Sequence, residues 1–179
     1  MTTNIFKNAW KLMSLLLLLP AVTLSSCSDD NDEPEAGSSS KYKEVIIEYS
    51  ASVGNGYADF WDVEVTYTTP GGNTETQKLD TDFNTTYRLN PADEIPTTYV
   101  LNITAKPDAD APQPNDDEIY SLAHSYQFTA YGVTESGSKE LIGGNIIATE
   151  STSSTDGAHI KAAMGTTRQL VDHTYTIQL

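Results

Sequence analysis

Apolar and polar positions alternate along most of this chain beyond residue 40. Val45, Ile47, Tyr49, Ala51 and Val53 share one parity against Glu44, Glu48, Ser50 and Ser52, and Ile46 breaks the pattern. Trp61, Val63, Val65 and Tyr67 alternate with Asp62, Glu64 and Thr66 in the cleanest period-two run. Tyr99, Leu101, Ile103 and Ala105 repeat it, as do Tyr126, Phe128 and Ala130. At the C-terminus Val171, His173, Tyr175, Ile177 and Leu179 lie on one parity. Such alternation predicts strands with one face packed inward and the other in water. Shorter strands are expected at 74–78, 85–89, 145–149 and 159–163, and no stretch reads as a long amphipathic helix.

Turn residues punctuate these runs. Gly54-Asn55-Gly56 separates the first two strands, and Pro70-Gly71-Gly72-Asn73 is a hairpin signal. Asn90-Pro91 and Ile95-Pro96 mark a bend, residues 107–118 a long acidic loop, and Glu135-Ser136-Gly137-Ser138 another turn. Many short strands so spaced predict an all-β domain, a two-sheet immunoglobulin-like sandwich. Trp61 falls on an early central strand, where such folds often hold a core indole. A lipocalin-like β-barrel is the alternative that strand count leaves open.

Ahead of this pattern the chain changes character. Lys7 and Lys11 precede an apolar run over 12–24, and Ser25 and Ser26 then lead to Cys27, the only cysteine. The apolar run is shorter than the ~20 residues that span a bilayer, so a cleaved signal peptide is expected over 1–26. Leu24-Ser25-Ser26-Cys27 resembles the lipobox of bacterial lipoproteins, whose cysteine becomes the lipidated first residue of the mature protein. Ser28, Asp29, Asp30, Asp32 and Glu33 follow at once. This acidic stretch looks like the export signal that routes Bacteroidetes lipoproteins to the outer face of the outer membrane. The segment Val-Glu-Val-Thr-Tyr-Thr-Thr-Pro-Gly-Gly-Asn-Thr-Glu-Thr-Gln-Lys, beginning at Val63, is similar to small Bacteroides-type lipoproteins with one β-sandwich behind the lipobox. The resemblance implies a surface-facing outer-membrane protein held by lipid, and it transfers no catalytic residue. Residues 27–40, rich in Pro, Gly, Ser and acids, are then a tether with little to bury, and 41–179 form a single domain.

Charge narrows the partners. The chain has 25 acids against 10 bases; the leader holds two of the bases and none of the acids. The mature protein therefore carries 8 bases against 25 acids, a net charge of −17. Nucleic acid is not an expected partner, because phosphate contacts need clustered Lys and Arg. Anionic lipid headgroups are disfavoured for the same reason, so the membrane is reached through the acyl chains. With Cys27 lipidated no thiol remains for a disulfide, and the core alone must hold the fold.

Catalytic signatures are not evident. His124, His159 and His173 fall on separate expected strands, without metal-binding spacing. No Gly-x-Ser-x-Gly elbow occurs, and residues 132–137 lack the glycine pattern of a nucleotide loop, so no cofactor is expected. The 107–118 loop crowds oxygen ligands at Asp108, Asp110, Asn115, Asp116, Asp117 and Glu118, a composition that suits calcium. Pro112 and Pro114 interrupt it, and a solvated acidic loop is the plainer reading. Two function classes fit. One is a non-catalytic surface module that binds glycan or protein, for which Tyr57, Phe60, Tyr120 and Tyr131, off the inward parity, are candidate exposed aromatics. The other is a structural or accessory subunit of a larger outer-membrane assembly, which a long unpaired edge strand would favour.

The anchor is directly testable. Cys27→Ala removes the only thiol available for lipidation. The variant is expected to lose incorporation of a fatty-acid analogue and to leave the detergent phase. Undiminished labelling would overturn the lipoprotein assignment.

Overall fold

The computed structural model describes residues 41–143 and 147–179. The expected signal peptide over 1–26, Cys27, the acidic residues 28–33 and the rest of the expected tether lie outside the described residues, as does the start of the strand expected from 145.

Two antiparallel sheets make up the described chain. Strands β1 (Glu44–Val53), β4 (Asp82–Leu89), β6 (Ile119–Val133), β7 (Lys139–Leu141) and β8 (Ile147–Asp156) form the first. Strands β2 (Trp61–Thr68), β3 (Thr74–Lys78), β5 (Thr98–Pro107) and β9 (Arg168–Thr176) form the second. The first runs β4-β1-β6, with β7 and β8 sharing the far side of β6; the second runs β3-β2-β5-β9. The sheets do not close into a barrel, and the fold is the two-sheet sandwich that the alternation predicts.

The inward faces follow the parity of the sequence. Val45, Ile47, Tyr49, Ala51 and Val53 are buried on β1, and Trp61, Val63, Val65 and Tyr67 on β2. Phe128 joins the layers: its ring stacks on Tyr175 at 4.4 Å and 9°, and lies 5.2 Å from Tyr49 and 5.7 Å from Tyr99. Tyr49 also donates its hydroxyl to the Thr68 carbonyl at 2.9 Å, tying β1 to β2 across the core. Burial raises its phenol pKa well above the ordinary value, so it stays a donor throughout the working pH range. Ile46, which breaks the alternation, is also buried but on the other face. There Arg88 and Tyr131 flank it in register, and long side chains of this kind shelter an apolar neighbour.

Local chemistry overrides parity in two places. The stretch 159–163, expected as a strand, is helical within α2 (Gly157–Ala163). Asp156 caps it by accepting from the His159 amide at 2.8 Å. Ile160 is buried while Ala163 and Met164 pack against the core, an i, i+3, i+4 stripe of helical rather than strand period. The Gly54–Gly56 turn likewise contains a single helical turn, α1 (Asn55–Ala58). A side chain on Gly56 would strike the Ser121 backbone, so the helix lies flat on β6 only because that residue lacks one. The turn also rotates Tyr57 and Phe60 inward: they are 5% and 3% exposed, not surface aromatics as their parity suggests. At the C-terminus Val171, Tyr175 and Ile177 are buried, but His173 and Leu179 are exposed despite sharing their parity.

Between β7 and β8 the chain interrupts one long edge. Gly143 adopts φ +81, and a Cβ there would meet Thr176 and Ile177. Pairing with β6 resumes at Ile147, shifted by three residues relative to β7.

Trp61, 1% exposed, and Glu64, paired with Lys106 at the surface, give a direct test of register. Trp61→Ala is expected to cost about 3–5 kcal/mol and to lower the melting temperature sharply. Glu64→Ala should cost under about 1 kcal/mol, the range of exposed ion pairs. Chemical denaturation that ranked Glu64→Ala as the more damaging change would invert the faces.

Candidate functional site

The outward face of the β4-β1-β6-β8 sheet is paved with small hydroxyl and amide side chains. Glu48, Ser50 and Ser52 come from β1, Asn84 and Thr86 from β4, and Ser125 and Gln127 from β6. They meet because the register sets Ser50 beside both Asn84 and Gln127, and Ser52 beside Ser125. One hollow of about 230 Å³ is lined by Glu48, Ser50, Asn84, Thr86 and Gln127. A second, of about 300 Å³, continues across Ser50, Ser125 and Gln127 to Ala148, Thr149 and Glu150 on β8. Ser50 and Gln127 border both, so the two hollows form one trough running across the strands.

Some of this surface is held in place from within. Thr129, almost fully buried, donates to Glu48 at 3.1 Å and fixes that carboxylate. Ser52 and Ser125 share a hydrogen bond of 2.7 Å. Among the described residues the Asn84 and Gln127 amides have no protein partner, so their donors and acceptors are free for a ligand. Other hollows differ in kind. The one across β2, β3 and β5 is filled by its own ion pairs, Lys78 with Asp62 and Lys106 with Glu64. That between the β2–β3 turn and residues 94–97 offers one charged side chain, Glu94.

Several of the residues weighed as weak calcium candidates have partners of their own. Asp108 accepts from the Asp110 amide at 2.8 Å, and Asn115 from the Asp117 amide at 3.3 Å, each closing a local turn. Asp116 pairs with Lys161, and Glu118 accepts from the Tyr120 hydroxyl. Among the described residues no three His, Cys, Asp or Glu side chains gather where a metal ion would be held. Asp108, Asp110, Asp116, Asp117 and Glu118 thus do not form one cluster.

The three histidines are dispersed. His159 pairs with Asp156 on the exposed start of α2. His173 hydrogen-bonds with the Tyr126 hydroxyl, linking β9 to β6. His124 meets the Tyr57 ring edge-on at 6.0 Å, and its buried Nδ1 has no partner. Of the four candidate exposed aromatics, Tyr57 and Phe60 are core. Tyr120 is half-buried against Phe60 at 5.1 Å, and the half-buried Tyr131 lies under the Lys139 ammonium.

Residue pattern alone marks Ser50, Asn84 and Gln127 only as members of polar parities. Their convergence depends on which strands are neighbours, and alternation does not carry that information. Compared with known proteins, the chain matches no family model, no curated sequence and no solved structure.

His124 generates a pH prediction. Burial lowers its pKa below the ordinary 6.5. Above that value the imidazole is neutral folded or unfolded, and no linkage exists. Below it the unfolded chain takes up a proton that the folded site resists, so stability falls until the lowered folded value is passed. His124→Phe is expected to flatten the loss of stability between pH 7 and 5, measured by urea denaturation, while retaining whatever slope the other groups contribute. Parallel slopes for the two proteins would show that His124 is protonated freely in the fold.

Proposed function

We propose that this chain is a surface-exposed, lipid-anchored outer-membrane protein whose sandwich is a non-catalytic binding module, with neutral glycan as the ligand its surface suits best. The observation that carries the reading is the trough centred on Ser50 and Gln127, where free amides adjoin the Glu48 and Glu150 carboxylates. Sugar hydroxyls both donate and accept, and this mixture of amide, hydroxyl and carboxylate groups answers them. Stacking contributes little, because the aromatic residues nearest the surface are packed or covered. Anionic sugars are disfavoured by the acidic balance of the domain, which holds 8 bases and 20 acids over 41–179. The lipobox resemblance at Cys27 and the acids from Asp29 to Glu33 support the anchored, outward-facing placement.

A second reading, an accessory subunit of a larger envelope assembly, is favoured by β8. It is a ten-residue edge strand whose far side has no partner among the described residues.

A glycan array probed with the mature protein tests the first reading. A neutral oligosaccharide signal is expected, and it should fall about tenfold or more in an Asn84→Ala, Gln127→Ala double variant whose melting temperature is unchanged. Loss of two ligand hydrogen bonds is worth roughly 1–3 kcal/mol. An array without signal, or binding indifferent to both substitutions, would remove the trough as a glycan site.

A further inference from the structure

Among the described residues, strand β8 is an edge with little of the usual protection. Exposed edges in native proteins are commonly short, charged, bulged or interrupted by proline. The β3 edge is five residues long and bears Glu75 and Lys78. The β4 edge carries Asp82 and Arg88, and β9 is irregular opposite Ile103 and Thr104. By contrast β8 spans ten residues without Pro, Lys or Arg; its only charges are the acids Glu150 and Asp156, and Ser151 to Thr155 is wholly Ser and Thr. Residues 148–154 are exposed on both faces of the sheet.

The backbone of this edge has a definite polarity. Flanking bonds from Ile142 to Ala130 and from Gly157 to Glu118 set the phase of the ladder on this side of β6. They turn the even-numbered residues of β6 toward β8, opposite odd-numbered partners such as Ser151 and Ser153. Alternate residues of an antiparallel strand point away from the neighbour. Ala148, Glu150, Thr152 and Ser154 therefore present both N–H and C=O outward, in register for another strand.

Charge selects what that strand is. A second copy would oppose one net −12 domain with another, and would set Glu150 and Asp156 of each edge near like charges. The domain also has few cations to spare: seven of the eight Lys and Arg side chains over 41–179 already pair with a carboxylate or cover an aromatic ring. Self-pairing is repelled, whereas a basic segment is attracted and steered.

We propose that β8 binds an extended segment of another protein, bearing Lys or Arg at alternate positions, which adds to the sheet beside Glu150, Thr152 and Ser154. This surface is the backbone edge, which shares Ala148 and Glu150 with the trough, and its test reads peptide protection of the edge amides independently of glycan binding.

The test uses the full-length protein in non-ionic detergent and a ten-residue peptide of alternating Lys and Val. Residue-resolved amide hydrogen exchange should slow about tenfold or more at Ala148, Glu150, Thr152 and Ser154 on saturation with peptide. A Glu–Val peptide should produce no slowing, and raised salt should weaken the effect. Thr152→Pro deletes only an outward N–H and leaves the β6 ladder intact; it should weaken peptide binding about tenfold without changing glycan binding. Should that variant unfold, Thr152→Lys retains the backbone donor and repels the basic strand, and it should weaken binding likewise. Unchanged exchange at the four amides would overturn the proposal. So would equal protection by the acidic peptide, or amides already protected in a peptide-free dimer.

Discussion

The packing of Phe128 between Tyr49, Tyr99 and Tyr175 is the contact on which the sandwich depends. Phe128 belongs to β6 in one sheet, while Tyr99 and Tyr175 belong to β5 and β9 in the other. Each aromatic pair contributes roughly 0.5–1.5 kcal/mol beyond the area it buries. Three such contacts converge on one ring, alongside the buried Tyr49–Thr68 bond. Without a disulfide to join the sheets, this interlocked layer must fix their relative position. It also sets the outward face, because each inward residue of β1 and β6 determines the parity of its neighbours. Ser50 and Gln127 face water because Tyr49 and Phe128 do not.

Two short helices pack against the sandwich. On one side α1 lays Tyr57 on Trp61 at 5.8 Å, and the Arg168 guanidinium covers both rings. A cation over an aromatic face shields the indole while remaining partly in water. His124 meets the same Tyr57 ring from the β6 side. A titratable group therefore sits inside the packing that seats α1. Acid is expected to act on the stability of that end through the cost of charging a half-buried imidazole.

Much of the architecture was legible in the alternation. The β1, β2, β5 and β6 cores have the expected parity, and the Pro70–Asn73 turn does join β2 to β3. Parity failed where another local force outweighed it. Asp156 starts a helix by capping, so residues 159–163 follow a helical stripe. The turn over Asn55–Ala58 shifts the phase of every residue up to Trp61, which returns Tyr57 and Phe60 to the core. The trough was not legible, for a different reason. Asn84 lies 43 positions from Gln127 and reaches it only through β1 between them, and period-two patterning says nothing of strand order.

The two proposed binding surfaces differ in chemistry because the two sides of β8 obey different constraints. Its odd-numbered backbone groups are committed to β6, and that pairing holds the far wall of the trough beside Gln127. Its even-numbered groups are committed to nothing within the described chain. A side-chain ligand in the trough and a strand along the edge would both approach Glu150, the one carboxylate that borders the hollow and belongs to the free edge. A basic strand there would neutralise Glu150 and withdraw a hydrogen-bond acceptor from a bound sugar. If both proposed ligands bind, their occupancies are coupled through that single charge, and by linkage whatever one ligand costs the other is returned in equal measure.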